Sequence, residues 1–301
     1  MKKKLENYVK YNIYIYIMIY IYILIIILTI LLYRNYNESF DDIQPSILSL
    51  SQSKMKQYNV IFGATIRNIE PYIINGLKNI DLCGSKFNNY SVVIYENDST
   101  DNTRKLLNDN KKNNYHYIFE DNVTESRRTM RLENGRNKIL NKVRELNINN
   151  EYQYMIILDL DDINNSGKFV NSIESCFNYD ENTWDVLTGN QTNMYYDLWA
   201  LRKKDDMEYD CWEKIRENGN TNESIQTFVH SKYKIYPPGQ LLEVDSSFGG
   251  IAIYKLSSIP NSCNYIGSLP DGNETCEHVL FNKCIKSNGG KIYINTDFYT
   301  D

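Results

Sequence analysis

The stretch YMIILDLDDIN, residues 154–164, sets three carboxylates behind a mostly apolar run. Like charges that close repel one another and are costly to strip of water. Either water screens them at a plain turn, or a cation sits among them. Asp159 and Asp161 lie two residues apart, so on an extended chain their side chains share one side. Two carboxylates with open coordination positions suit Mg²⁺ or Mn²⁺, which take oxygen ligands and keep sites for phosphate oxygens. Asp161 reads as the more direct ligand, and Asp162 as its substitute or orienter. The plain alternative is an acidic turn that caps the next helix.

Other polar groups fall where similar chemistry could use them. Thr65 lies at the end of the run YNVIFGATI and Arg67 follows it, and Glu96 to Asp98 follow YSVVI. Arg67 has the reach to meet a phosphate, or it is a solvated surface charge. Asp98 either contacts a ligand or opens a turn and caps a helix. Arg136 and Asn137 sit in RTMRLENGRNKIL with the same two readings. Asp245, Gly249 and Gly250 could line a cleft, because glycines there let backbone approach a ligand closely. The rival is a turn or bulge before a strand. The aromatic segment YYDLWAL (195–201) is either a stacking surface or core.

These groups need a scaffold, and the hydrophobic pattern supplies one. Residues 58–66, 90–98, 115–120 and 152–160 read as strands. Residues 70–80, 99–110 and 128–146 read as the helices between them, with Gly135 weakening the last. The order β-α-β-α-β-α-β predicts a mostly parallel sheet flanked by helices, an α/β fold. In such sheets ligands bind beyond the carboxyl ends of the strands. Three of the polar clusters lie at those ends. The second half is less regular: 184–191 and 195–202 read as neighbouring strands, 246–255 as a Gly-Gly turn and strand, 276–290 as a helix, and 291–295 as a closing strand.

Ile13 to Leu32 carries no charge, and four lysines precede it. That is the length of a membrane-crossing helix, and basic residues on its N-terminal side predict a cytosolic tail. The expected organisation is a tail at 1–12, a transmembrane helix at 13–33, a polar stem or linker at 34–56, and a folded domain at 57–301. This describes a single-pass type II membrane protein whose domain faces the lumen of the Golgi, the endoplasmic reticulum or an equivalent membrane. A cleaved signal peptide is the rival. The net charge is −5 over 301 residues, which leaves no electrostatic footprint for nucleic acid. None of the six cysteines has zinc-site spacing. Cys263 and Cys276, which flank a Gly/Pro/Asn-rich loop, are the expected disulfide.

Over roughly 58–295 these segments resemble the GT-A class of nucleotide-sugar glycosyltransferases. ATIRNIEPYI is similar to the first strand-loop-helix of that class. IYENDSTDNTRKLL is similar to the second, whose turn acid holds the nucleoside, here Asp98. LENGRNKIL is similar to a helix with an Arg-Asn pair near the nucleotide, here Arg136 and Asn137. LDLDD matches the D-x-D motif, with Asp159 and Asp161 as metal ligands. Together, YYDLWALR and the Arg-Asn helix resemble the capsule-associated mannosyltransferases of fungi, although their acidic motif differs from LDLDDIN. The resemblance implies a Rossmann-like GT-A fold, a nucleotide diphosphate sugar as donor, Mn²⁺ or Mg²⁺ as cofactor, and a glycan or glycoprotein acceptor.

In that class an acidic pair at a helix start faces the acceptor and includes the catalytic base. Here the pair is Glu277 and His278. Glu277 becomes the candidate base, and His278 a candidate metal ligand through a ring nitrogen. The plain reading is that Glu277 caps the helix dipole. The rival functions are a nucleotidyltransferase, for which FGATIRN lacks the Gly-rich basic phosphate loop, and a membrane-tethered glycan-binding protein without turnover.

Overall fold

The computed structural model describes residues 51–300 and seven positions between 18 and 29. Those seven (Met18, Ile21, Tyr22, Ile25, Ile26, Leu28 and Thr29) are helical and exposed, within a separate unit that spans 1–50. Among the described residues no helix is long and apolar enough to cross a membrane. The expected tail, most of the expected span and the first part of the expected linker lie outside the described residues.

The second unit begins at Ser51, six residues ahead of the expected boundary at 57. Ser51 to Met55 form a helical turn. Met55 is fully buried, and Lys54 donates to the carbonyls of Phe177 and Tyr179.

The first half folds as its pattern predicts. Strands β1 (Asn59–Ile66), β2 (Asn89–Asn97), β3 (Tyr115–Glu120) and β4 (Tyr154–Leu158) alternate with helices α1 (Ile73–Gly84), α2 (Thr103–Asp109) and α3 (Arg128–Leu146). Side chains alternate across a strand, so β1 feeds two cores. Val60, Phe62 and Ala64 pack on one face with Ile73, Leu77 and Ile80 of α1. Ile61 joins Val93, Met155 and Ile157 on the other, beneath Ile139, Leu140 and Val143 of α3.

Four further strands complete the sheet: β5 (Val186–Gln191), β6 (Leu241–Glu243), β7 (Ile251–Lys255) and β8 (Ile292–Thr300). The strand order is β3-β2-β1-β4-β7-β5-β8-β6. Strands β1 to β4 pair in parallel, while β7 runs antiparallel to both β4 and β5, and β6 antiparallel to β8. Strands β5 and β8 pair in parallel, so six of the eight strands run one way; the sheet is mostly parallel, as expected, and is made mixed by β7 and β6. The chain goes outward from β1 to β2 and β3, then returns to the other side of β1 at β4. That reversal makes a crevice between the carboxyl ends of β1 and β4.

Short helices α4 (Lys168–Ser172), α5 (Cys211–Glu217) and α6 (Asn222–Phe228) precede α7 (Glu277–Ser287), which opens at the expected helix start. The expected strand at 195–202 is not formed. Its buried residues, Tyr195, Leu198, Ala200 and Leu201, do not alternate. The guanidinium of Arg202 donates to the carbonyls of Trp199 and Leu201, so a side chain takes acceptors that a neighbouring strand would use. The segment is held by single bridges, Tyr195 to Lys234 and Arg202 to Ser246.

The disulfide pairs Cys263 with Cys284, not with Cys276. Cys276 is the residue before α7 and is buried in the wall of the crevice, whereas Cys284 lies two helical turns further on.

Candidate active site

The acidic turn is built by hydrogen bonds around β4. The amide of Asp159 donates to the carbonyl of Gly250 at 3.0 Å. Buried Asn164 then donates to the carbonyls of Asp159 and Gly250, at 2.9 and 2.8 Å. One side-chain amide thus ties the turn to the Gly-Gly segment before β7. Gly249 and Gly250 have φ of 65° and 83°, a left-handed backbone that favours glycine. Asp161 accepts from the amide of Ile163, so the capping reading is realised beside the ligand reading.

Helix α3 brings Arg136 into the same place. A Cβ on Gly135 would meet the Tyr95 ring at 2.5 Å and Thr65 Cγ2 at 2.9 Å. The glycine that weakens the helix in propensity lets it press onto the sheet end. Arg136, only 3% exposed, donates from Nε to Glu277 Oε1 at 2.7 Å and from Nη2 to Asp159 Oδ1 at 3.2 Å. Its guanidinium lies 5.0 Å from the Phe248 ring centroid, and Nη1 has no partner.

These groups line a cavity of about 490 Å³ at the β1/β4 crevice, within the size range of small-ligand sites. Of the residues singled out from sequence, Thr65, Arg67, Arg136, Asp159, Asp161, Glu277 and His278 all line it, as does Gly250. Thr65 Oγ1 is buried without a partner.

Three expected site residues are placed elsewhere. Asp98 is not in the cavity wall. Its φ of 49° turns the carboxylate onto the amides of Asn122 and Val123, at 2.7 and 3.0 Å. Those two bonds hold its carboxyl below the usual range, and the neighbouring Asn97 lines the cavity instead. Asn137 clamps the backbone of Tyr265, donating to its carbonyl and accepting from its amide, both at 2.9 Å. Asp245 pairs with Lys286 at 2.6 Å and lines a separate charged cavity with Arg202, Lys204 and Lys283.

The electrostatics are those of crowded carboxylates interleaved with arginines. Burial raises the Asp159 carboxyl to about 7; Arg136 opposes this, and Asp161, Asp197 and Glu277 reinforce it. Burial likewise raises Asp161, with Asp162 adding to it. Burial and the charge of Arg136 push His278 well below its ordinary range, so the ring is neutral. Both its nitrogens are buried without partners, and the ring stacks on Phe248 at 3.9 Å.

Among the described residues no three carboxylate, imidazole or thiol groups converge to hold a metal. His278 therefore does not complete a three-residue metal site with Asp159 and Asp161. The two aspartates remain a fitting pair. They offer hard oxygen ligands, and the other positions of an octahedral ion are left to phosphate and water.

Tyr196 and Trp199, from the segment read as a stacking surface or core, line the cavity, and so do Asp197, Arg128 and Arg131, which sequence reasoning passed over. The amide of Gly249 donates to Asp197 Oδ2 at 2.8 Å, and Trp199 Nε1 donates to Asp210 at 3.0 Å. The one available signal was the polar residue inside YYDLWAL, an aspartate flanked by aromatics.

No family model matches the chain, and no curated protein does. Solved structures that align with it include the following three. A mannosyltransferase from Pyrobaculum calidifontis, in complex with GDP-Man and Mn²⁺, aligns at 14% identity with a TM-score of 0.45, over 80% of this chain and 55% of that one. TarS of S. aureus (residues 1–349) aligns at 16% identity and a TM-score of 0.47, over 80% of this chain and 59% of that one. Glucosyl-3-phosphoglycerate synthase from Mycobacterium tuberculosis, in complex with Mn²⁺, UDP and phosphoglyceric acid, aligns at 8% identity and a TM-score of 0.43, over 81% of this chain and 70% of that one. The chain thus spans less than two thirds of the length of the first two.

Proposed function

We propose that this chain is a metal-dependent glycosyltransferase of GT-A type, moving a hexose from a nucleotide diphosphate sugar to a glycan or protein hydroxyl. The observation that carries the reading is the Asp159–Asp161 pair at the β1/β4 crevice, in one cavity with four arginines, Arg67, Arg128, Arg131 and Arg136. Asp159 and Asp161 would hold Mn²⁺ or Mg²⁺, which would offset diphosphate charge as the sugar leaves.

The protein groups divide the remaining work. Arg67, Arg128 and Arg131 line the same cavity and suit phosphate oxygens. Thr65 and Asn97, at the ends of β1 and β2, offer hydrogen bonds to the nucleoside. Arg136 fixes Asp159 and Glu277 relative to each other. Mannose is the donor sugar favoured by the likeness of YYDLWALR to the fungal capsule-associated enzymes. The uncharged stretch from Ile13 to Leu32 is proposed as the membrane tether, which would place the domain on the lumenal side.

Isothermal titration of the full chain with UDP- and GDP-hexoses, with and without Mn²⁺, tests the reading. Binding of at least one donor should require the metal and weaken by about tenfold or more in Asp161→Asn. Absence of metal-dependent binding across the panel would overturn it.

A further inference from the structure

We propose that Asp197, and not Glu277, takes the acceptor's proton, and that the acceptor is a sugar hydroxyl presented on Tyr196 and Trp199. This rests on the glycosyltransferase reading and assigns its acceptor side.

The first observation concerns Glu277. Its Oε1 accepts from Arg136 at 2.7 Å, and both side chains are only 3% exposed. Moving a proton onto Glu277 would cancel the charge that compensates a buried guanidinium, which is unfavourable in a dry site. Glu277 is better placed to hold Arg136 than to receive a proton.

The second concerns Asp197. It lies in the irregular segment between β5 and α5, is partly exposed and lines the cavity. It is anchored through backbone: Oδ2 accepts from the Gly249 amide at 2.8 Å, and the Ala200 backbone also stabilises its charge. A carboxylate held this way is oriented but not neutralised by a bound cation. Burial moves its proton affinity upward, the direction a general base needs.

The third concerns its neighbours. Tyr196, 44% exposed, and Trp199 line the cavity on either side of Asp197 in sequence. The Trp199 indole is pinned by Asp210. Fixed aromatic faces with a polar edge suit the apolar face of a pyranose. His278 lines the same cavity as a neutral ring stacked on Phe248.

The step balances without another reactant. The acceptor O–H bond breaks toward Asp197. The freed oxygen pair bonds the anomeric carbon. The bond from that carbon to the diphosphate oxygen breaks, and its electrons leave with the nucleoside diphosphate. The sugar inverts.

The test uses the full chain with Mn²⁺ and a panel of UDP- and GDP-hexoses. It measures nucleoside diphosphate release to water and to methyl glycosides, alongside nucleotide binding. Asp197→Asn and Asp197→Gly should keep nucleotide binding within about threefold and lose release by about 100-fold or more. Azide, which needs no base, should restore turnover in Asp197→Gly as a glycosyl azide. Retained binding also shows that the variants fold.

Release by Asp197→Asn at the wild-type rate would overturn the proposal. So would azide rescue of Glu277→Ala in place of Asp197→Gly. If wild type binds no nucleotide with Mn²⁺, the glycosyltransferase reading falls, and this proposal with it. Nucleotide binding with a dispensable Asp197 sinks this proposal alone.

Discussion

Arg136 is the residue on which the site's geometry turns. It is buried, it binds two carboxylates on different elements, and it rests on Phe248. Removing one partner of a buried pair strands the other charge, at a cost of about 3–5 kcal/mol. Arg136→Met should destabilise the protein by that order in urea unfolding. The double variant Arg136→Met/Glu277→Leu should recover part of the loss, because the fully buried Glu277 charge goes with its partner and only the part-exposed Asp159 is left unpaired. Equal losses in both variants would show that packing, not charge, sets the cost. At this scale the sequence was legible where chemistry is local. Asp159 and Asp161 line one cavity because the chain turns into it directly beyond the end of β4, and the whole acidic turn follows. Asp98 follows a strand just as directly, yet its left-handed backbone swings the carboxylate onto the next loop. Asp197 carries only one local mark, its aromatic flanks, since its place in the cavity depends on Gly249, more than fifty residues away.

Helix α3 shows how an element can be legible in type and misread in detail. Its apolar positions were plain, and Gly135 counted against it. Helix propensity alone predicts that Gly135→Ala stabilises by about 1 kcal/mol. Packing predicts the opposite, because the new Cβ would lie 2.5 Å from Tyr95 and 2.9 Å from Thr65. Overpacking of that kind costs about 1–3 kcal/mol, so the substitution should lower the thermal midpoint and displace Arg136 from the crevice. A raised midpoint would show that α3 does not press on the sheet. The strands of the first half followed from apolar runs separated by turn residues. The second half did not yield so readily. Strand β6 has three residues, too few for a period. Residues 195–202 bury side chains without alternation, and two of their carbonyls are taken by the Arg202 side chain. Strand pairing in that half joins residues far apart in sequence, which no local pattern reports.

For the second unit as a whole, the disulfide is the one covalent link that adds to the two cores. Cys263 precedes a surface loop and Cys284 lies on α7, with 21 residues of separation. The helix starts at Glu277 in the cavity wall, so the link ties the far side of α7 to the loop that leads back to the site. Closing a loop of that length removes unfolded-state entropy worth about 3 kcal/mol in the chain-entropy model. The other four cysteines of the described residues are buried and unbridged, and burial pushes Cys211 up to about 12, so it is not a ready thiolate. Reductant should therefore lower the midpoint of the full chain by acting on one bond. Cys263→Ser/Cys284→Ser should start from the lowered midpoint and be insensitive to reductant, while Cys276→Ser should keep the response. A reductant effect that survives in the double variant would mean that another pair of cysteines carries the link. An unchanged midpoint in both would mean that the two cores hold α7 in place without it.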